Sequence, residues 1–94
     1  MPGTLKSYHI EYLSSVVKKD IPAISAPDQK VIQRAVETRL ILDPVGFGKP
    51  LRYSLKGHRR LRVGNYRIVY RIEAKENKVI IIAIKHRKDI YEKI

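Results

Sequence analysis

The sequence predicts an α+β fold in which an N-terminal strand and two helices pack on a small, mainly antiparallel sheet of four to five strands. Three observations lead to this prediction. Apolar residues recur at helical spacing between residues 25 and 40, polar and apolar residues alternate from residue 51 onward, and Gly64-Asn65 separates two alternating runs. Because 94 residues, 44% of them hydrophobic, can build one core, we expect a single domain over residues 1–94.

The first half of the chain holds the predicted N-terminal strand and both helices. Polar and apolar residues alternate over residues 6–11, which indicates a strand, and residues 12–20 follow as a short helix that stops before Pro22. A longer helix begins after Ser25, a favourable N-cap with Asp28 three residues later. Its apolar stripe comprises Val31, Ile32, Ala35, Val36 and Leu40.

The second half of the chain is predicted to form strands. Alternation over residues 51–55 predicts the first of them. Residues 59–63 and 66–73 form a hairpin joined by Gly64-Asn65, whose first position can adopt the positive φ of a type II′ turn. Residues 78–85 are apolar and β-branched, which is typical of a central strand covered on both faces.

The chain is strongly basic, and its charge is unevenly spread. Its 20 Lys and Arg against 9 Asp and Glu give a formal net charge of +11, and residues 49–94 hold 14 of those bases but only 4 of the acids. Residues 49–71 contain eight bases and no acid, whereas a solvated surface usually mixes both signs. We therefore expect a polyanionic partner, either nucleic acid or an acidic protein.

The composition excludes several classes of protein. The absence of Cys rules out a disulfide scaffold, a thiol nucleophile and Cys-rich zinc sites. No apolar run approaches the roughly 20 residues of a membrane helix, and the first residues lack the features of a signal peptide, so we expect a cytoplasmic protein without membrane contact. Phosphate-loop, serine-triad and paired-carboxylate motifs are missing, and Gly46-Phe47-Gly48 is only a weak glycine pair.

The predicted hairpin gathers arginines on one face of the sheet. A two-residue loop at Gly64-Asn65 would pair Arg62 with Arg67, and alternation then puts Arg60 and Arg71 on the same face. We call these four arginines the basic face. Like charges directly opposite each other destabilise a hairpin unless an anion lies between them. Since the planar guanidinium suits phosphate oxygens, this face favours a phosphodiester; the alternative is that the arginines pair with acids elsewhere in the chain.

Histidine and tyrosine supply candidate proton carriers. None of the three histidines has a second His or a carboxylate at metal-ligand spacing, so we expect no metal site. His86 follows the last strand beside Lys85 and Arg87, which makes it a candidate proton carrier, although a lone histidine is often a plain surface residue. Tyr91 could stack on a base or carry a proton, or it could simply pack the tail onto the sheet.

Two motifs are specific. R-x-R-V-G-N-Y-R-I-V-Y covers residues 60–70, and H-R-x-x-I-Y covers residues 86–91. On these motifs and the order of strand, two helices and antiparallel strands, the chain resembles the RelE/ParE superfamily of bacterial and archaeal toxins. The resemblance implies a small, metal-independent endoribonuclease, without a cofactor, that cuts messenger RNA in the ribosomal decoding site. It also implies a cognate RelB-like antitoxin, which we expect to be acidic.

The resemblance also implies which residues act. Arg60 matches a catalytic Lys or Arg on the strand before the turn, and Arg67 matches the arginine after it. Tyr91 matches a C-terminal tyrosine, and His86 or Arg87 occupies the region of a further basic catalytic residue. RNA contacts are expected from Lys56, His58, Arg59, Arg62, Lys85 and Arg87. The implied reaction is attack by a ribose 2′-OH on its own 3′-phosphate, which gives a 2′,3′-cyclic phosphate.

Two alternatives stay open. ParE-like members of the superfamily share the fold but act on DNA gyrase, and they generally lack this basic and tyrosine set. A non-catalytic, basic RNA-binding module would use the same charge without cleaving its ligand.

Overall fold

Alternating side chains build a five-stranded mixed sheet with the strand order β1-β5-β4-β3-β2, in a computed structural model that describes residues 7–88. β1 runs parallel to β5, and the other neighbouring strands are antiparallel. The strands are β1 His9–Tyr12, β2 Lys49–Pro50, β3 Arg59–Val63, β4 Tyr66–Glu73 and β5 Lys78–His86. The predicted α+β architecture is confirmed.

Helical segments supply the second layer. They are a π-helical turn at Val16–Asp20, α1 at Ala26–Ala35 with a π-helical continuation at Val36–Leu40, and α2 at Pro44–Phe47. The Ser25 side chain accepts a hydrogen bond from the backbone N–H of Asp28 at 3.4 Å, which confirms the predicted cap. Within residues 7–88 no helix has the length and apolar character needed to cross a membrane.

The core lies between these helices and one face of the sheet. Four residues of the predicted stripe are buried, namely Ile32, Ala35, Val36 and Leu40, but Val31 is 56% exposed. Successive residues of a helix point about 100° apart, so Val31 falls outside the stripe that Ile32 begins. From the strands the core receives Leu61, Val63, Ile68, Tyr70, Val79, Ile81 and Ile84.

β3 and β4 form the predicted hairpin with the predicted bounds. Val63 pairs with Tyr66 and Arg62 pairs with Arg67. Gly64 has a φ of 57°, as the first position of the turn requires. Because Leu61 and Val63 enter the core, the alternate residues of β3 face away from it.

β5 is the central strand that the sequence predicts, between β1 and β4. Val79, Ile80 and Ile81 are all buried, so both faces are covered over this stretch. A register shift follows, because Tyr70 pairs with Ile81 whereas Val69 pairs with Ala83. Pairing with β1 ends at Ile81. Beyond this residue, the backbone groups of β5 on the β1 side are available to partners other than a strand.

Two strand predictions require correction. The first strand spans His9–Tyr12, somewhat later than the predicted residues 6–11. Residues 51–55 do not form a strand; they contain a 3₁₀ turn at Tyr53–Leu55.

Residues 51–58 instead form a loop that satisfies its own backbone. The N–H of Leu51 donates to the carbonyl of His58 at 2.9 Å, and the N–H of His58 donates to the carbonyl of Leu55 at 3.0 Å. Tyr53 has a φ of 58° and is 89% exposed. The alternating pattern of residues 51–55 therefore belongs to a turn in which Leu51 and Leu55 are half-buried, and not to a pleated strand.

Candidate nucleic-acid interface

Three cations lie in a row across the sheet, on the face opposite the core. Arg62 on β3 pairs with Arg67 on β4, and Arg67 pairs with Lys85 on β5. Side chains directly opposite each other on neighbouring strands start about 5 Å apart. We call Arg62, Arg67 and Lys85 the cationic row. Arg60 lies two residues before Arg62 on the same face of β3 and pairs with Lys49 on β2.

The members of the cationic row differ in exposure. Arg62 is exposed, Lys85 is half-buried, and Arg67 is only 4% exposed. The Nη1 atom of Arg67 donates to the carbonyl of Tyr66 at 3.4 Å. The row therefore combines an exposed guanidinium, that of Arg62, with a buried one, that of Arg67.

Asp20 anchors Lys85. Its Oδ1 lies 2.6 Å from the Nζ of Lys85, and its Oδ2 accepts from the backbone N–H of Ile84 at 2.9 Å. The buried carboxylate thereby occupies the β5 edge beyond the end of β1. Asp20 is not among the residues predicted from the sequence, because no local pattern signals a contact 64 residues along the chain.

Acidic side chains gather at the other end of the sheet. Glu73 accepts from Arg71 at 3.0 Å, so Arg71 of the basic face has an acidic partner. Lys78 lies 3.1 Å from Glu11 and 3.4 Å from Glu76, and its hydrogen bonds to these carboxylates raise its pKa. The positive charge is thus compensated at this end of β4 and β5.

His86 belongs to the other face of the sheet. It pairs with Tyr66, and the two rings meet edge to face with centroids 5.5 Å apart. Since Tyr66 packs against the core, alternation along β5 places Lys85 rather than His86 opposite Arg67. The Nδ1 of His86 accepts from the backbone N–H of Lys88 at 3.4 Å.

Arg59 also faces the core side. It pairs with Tyr70, and its Nη2 donates to the carbonyls of Val45 at 2.6 Å and Gly48 at 2.9 Å. The hydroxyl of Tyr70 donates to the carbonyl of Pro44, and burial raises the pKa of this hydroxyl, against the opposing effect of Arg59. Arg59, predicted as an RNA contact, therefore binds the backbone of α2 and of the Gly48 that ends it.

The remaining predicted residues lie around this framework. Lys56 is exposed in the 51–58 loop, and His58 is half-buried with an enclosed Nδ1 that lacks a hydrogen-bond partner in the described part of the chain. Arg87 is exposed, and its backbone N–H donates to the carbonyl of Asn65 in the hairpin turn at 2.7 Å. Tyr91 lies outside the described residues. Among residues 7–88, no group of three or more His, Asp or Glu side chains could hold a metal ion.

Comparison with known families shows to which family this chain belongs. Residues 13–91 match the family described as the ParE toxin of the type II toxin-antitoxin system parDE. The chain belongs to this toxin family. The match spans the hairpin and every element after β1, and it confirms the resemblance to the RelE/ParE superfamily.

Individual relatives of this toxin are RelE-like. The chain is 31% identical over 84 residues to Toxin RelE of Mycobacterium tuberculosis, and the aligned part covers 89% of this chain and 86% of the relative. Toxin RelG of the same organism is 43% identical over 51 residues, which span 54% of this chain and 59% of RelG, less than two thirds of its length. A chain in the crystal structure of the M. tuberculosis toxin-antitoxin complex RelBE2 superposes with a TM-score of 0.82 at 26% identity, covering 89% of this chain and 95% of that one. The chain is therefore a RelE-like toxin.

Proposed function

We propose that this toxin is an endoribonuclease that cleaves messenger RNA in the decoding site of the ribosome. The observation that carries the proposal is the cationic row with Arg60 beside it. These four cations occupy adjacent positions on one sheet face, with Asp20 beside Lys85, whereas Glu11, Glu73 and Glu76 lie at the other end. Such a face suits a phosphodiester, whose charge rises in the transition state.

The proposed chemistry is transesterification. A ribose 2′-OH attacks the adjacent phosphorus, the bond to the 5′-oxygen breaks, and the products are a 2′,3′-cyclic phosphate and a 5′-OH. Arg62, Arg67 and Lys85 neutralise the phosphorane, and Arg60 binds the neighbouring phosphate. This reaction needs no metal.

Two protons must move in this reaction. His58 and Tyr91 are our candidates for accepting the proton of the 2′-OH, and His86 and Arg87 for assisting the departing 5′-oxygen. His86 follows Lys85 on β5 but lies on the opposite face of the sheet, where its ring contacts Tyr66. It can therefore assist the departing 5′-oxygen only if the RNA reaches the end of β5, and not from the sheet surface.

We also propose an acidic, RelB-like antitoxin as the partner that neutralises the toxin. The superposable M. tuberculosis chain comes from a toxin-antitoxin complex, and 14 of the 20 basic residues of this toxin lie in residues 49–94. An acidic chain bound over the cationic row would exclude RNA by competing for the same cations.

A gyrase-directed toxin is the second candidate, because the matching family is named for ParE. Brief expression followed by primer extension on a cellular message separates the two. In-frame cuts on translated messages support the ribonuclease, and DNA damage without such cuts supports gyrase inhibition. Intact messages and intact DNA would leave only the non-catalytic RNA-binding module.

A further inference from the structure

Phe47 stands beside the basic face in an unusual setting. It is 51% exposed at the end of α2, and it borders a cavity of about 280 Å³. The cavity is lined by Arg39, Phe47, Lys49, Arg60, Leu61 and Arg62. Four of these six residues are cations and none is acidic. An exposed phenyl ring thus shares a basic cavity with two arginines proposed to bind phosphate.

The backbone that carries Phe47 is held on both sides. Asp43 caps α2 by accepting from the N–H of Gly46 at 2.9 Å. Tyr70 donates to the carbonyl of Pro44, and Arg59 donates to those of Val45 and Gly48. Carbonyls before and after Phe47 are therefore fixed by side chains of β3 and β4, although the ring itself contributes little to the core.

We propose that Phe47 is a stacking platform for one unpaired nucleobase of the bound RNA, next to the phosphate held by Arg60 and Arg62. This inference rests on the proposed ribonuclease function. An aromatic side chain on a fixed backbone has little freedom to lose on binding, and a cavity of this size with cationic walls accommodates a planar base whose phosphate reaches the arginines. An apolar side chain of a protein partner could use the ring but would leave the four cations without anions.

Fluorescence tests the contact directly, because the chain contains no Trp. The Phe47→Trp protein is titrated with a six-nucleotide 2′-O-methyl RNA, which cannot undergo attack by a 2′-OH, and with the same backbone carrying abasic sites. We expect quenching by the base-containing RNA and little by the abasic strand. Val45→Trp is the matched control, since Val45 is 57% exposed on the same short helix α2 and does not line the cavity.

Affinity gives an independent readout. The affinity is measured by fluorescence anisotropy of labelled RNA. Phe47→Ala should weaken binding of the base-containing strand about 5- to 150-fold, the usual range for one stacked base. Phe47→Tyr should retain the affinity, and the abasic strand should bind both Phe47→Ala and the wild type equally.

The outcomes separate this inference from the proposed function. If the wild type binds RNA with salt-sensitive affinity but the fluorescence of the Phe47→Trp protein is not quenched, the stacking platform is refuted and the RNA site stands. If the wild type binds no RNA, the proposed function fails. Quenching by a co-expressed antitoxin but not by RNA would assign the ring to a protein partner and would also overturn the inference.

Discussion

The Asp20 carboxylate lies 2.6 Å from the Lys85 ammonium and joins the end of the first helical segment to the last strand. Its second oxygen accepts from the N–H of Ile84, on the β5 edge that β1 does not reach. One side chain therefore replaces a missing strand partner and also holds a member of the cationic row. Asp20 therefore contributes both to the stability of the sheet and to the position of a side chain that we propose to act on RNA.

Asp20→Ala should destabilise the protein by about 1–3 kcal/mol, because it leaves a buried backbone N–H without its acceptor. Asp20→Asn keeps an oxygen for Ile84 but loses the charge facing Lys85, so it should cost less. Urea unfolding measures both. Glu76→Gln is the control, since it removes only an exposed ion pair worth less than about 1 kcal/mol. Equal stability of Asp20→Ala and the wild type would contradict the anchoring role.

Arg62→Ala should leave the fold intact and slow cleavage. Arg62 is exposed, so its loss should change stability by only about 0.5 kcal/mol, and the repulsion with Arg67 is relieved. Loss of one preorganised donor to a developing oxyanion typically lowers the rate about 10²- to 10³-fold. Thermal melting and single-turnover cleavage on programmed ribosomes, with EDTA present, measure the two effects. The exposed Lys75, outside the row, provides the control variant Lys75→Ala.

Arg67→Ala should affect both stability and activity. Its low exposure means that truncation opens space beside the sheet and removes a buried hydrogen-bonding group, unlike the loss of a surface charge. We expect a lower melting temperature together with slower cleavage. A stable but fully active Arg67→Ala protein would remove Arg67 from the proposed mechanism.

RNA affinity should depend steeply on salt. If the eight basic residues of the 49–71 region together neutralise about four phosphates, the log–log slope for single-stranded RNA should be near −3, at roughly 0.7 per contact. Arg62→Ala should reduce the slope by about one contact. Anisotropy titrations at several salt concentrations measure it, and a slope near zero would contradict the electrostatic argument.

Stability should fall above pH 10. Burial raises the pKa of Tyr70 above its usual 10.0, so the unfolded chain loses its proton first as the pH rises, and unfolding becomes easier. Burial raises the pKa of Tyr12 in the same direction. Tyr70→Phe should therefore reduce, but not abolish, the slope of unfolding free energy against pH. Tyr53→Phe, which removes a hydroxyl at an almost fully exposed site, is the control variant.

Local patterns in the sequence determined the hairpin, the cap of α1 and most of the core. A two-residue turn with glycine at its first position allows one register, so the opposition of Arg62 and Arg67 follows from the sequence alone. The same reasoning failed for residues 51–55, where an alternating pattern lies in a loop that pairs with itself.

Tertiary structure decided which charges meet. The pairing of β4 with β5 places Lys85 rather than His86 opposite Arg67. Arg59 reaches the backbone next to Phe47, and Asp20 reaches a strand 64 residues away. These contacts depend on how strands and helices are arranged in space, which short-range periodicity does not encode. The sequence by itself therefore determined the fold class and the basic hairpin, and only the packed sheet determined the composition of the site.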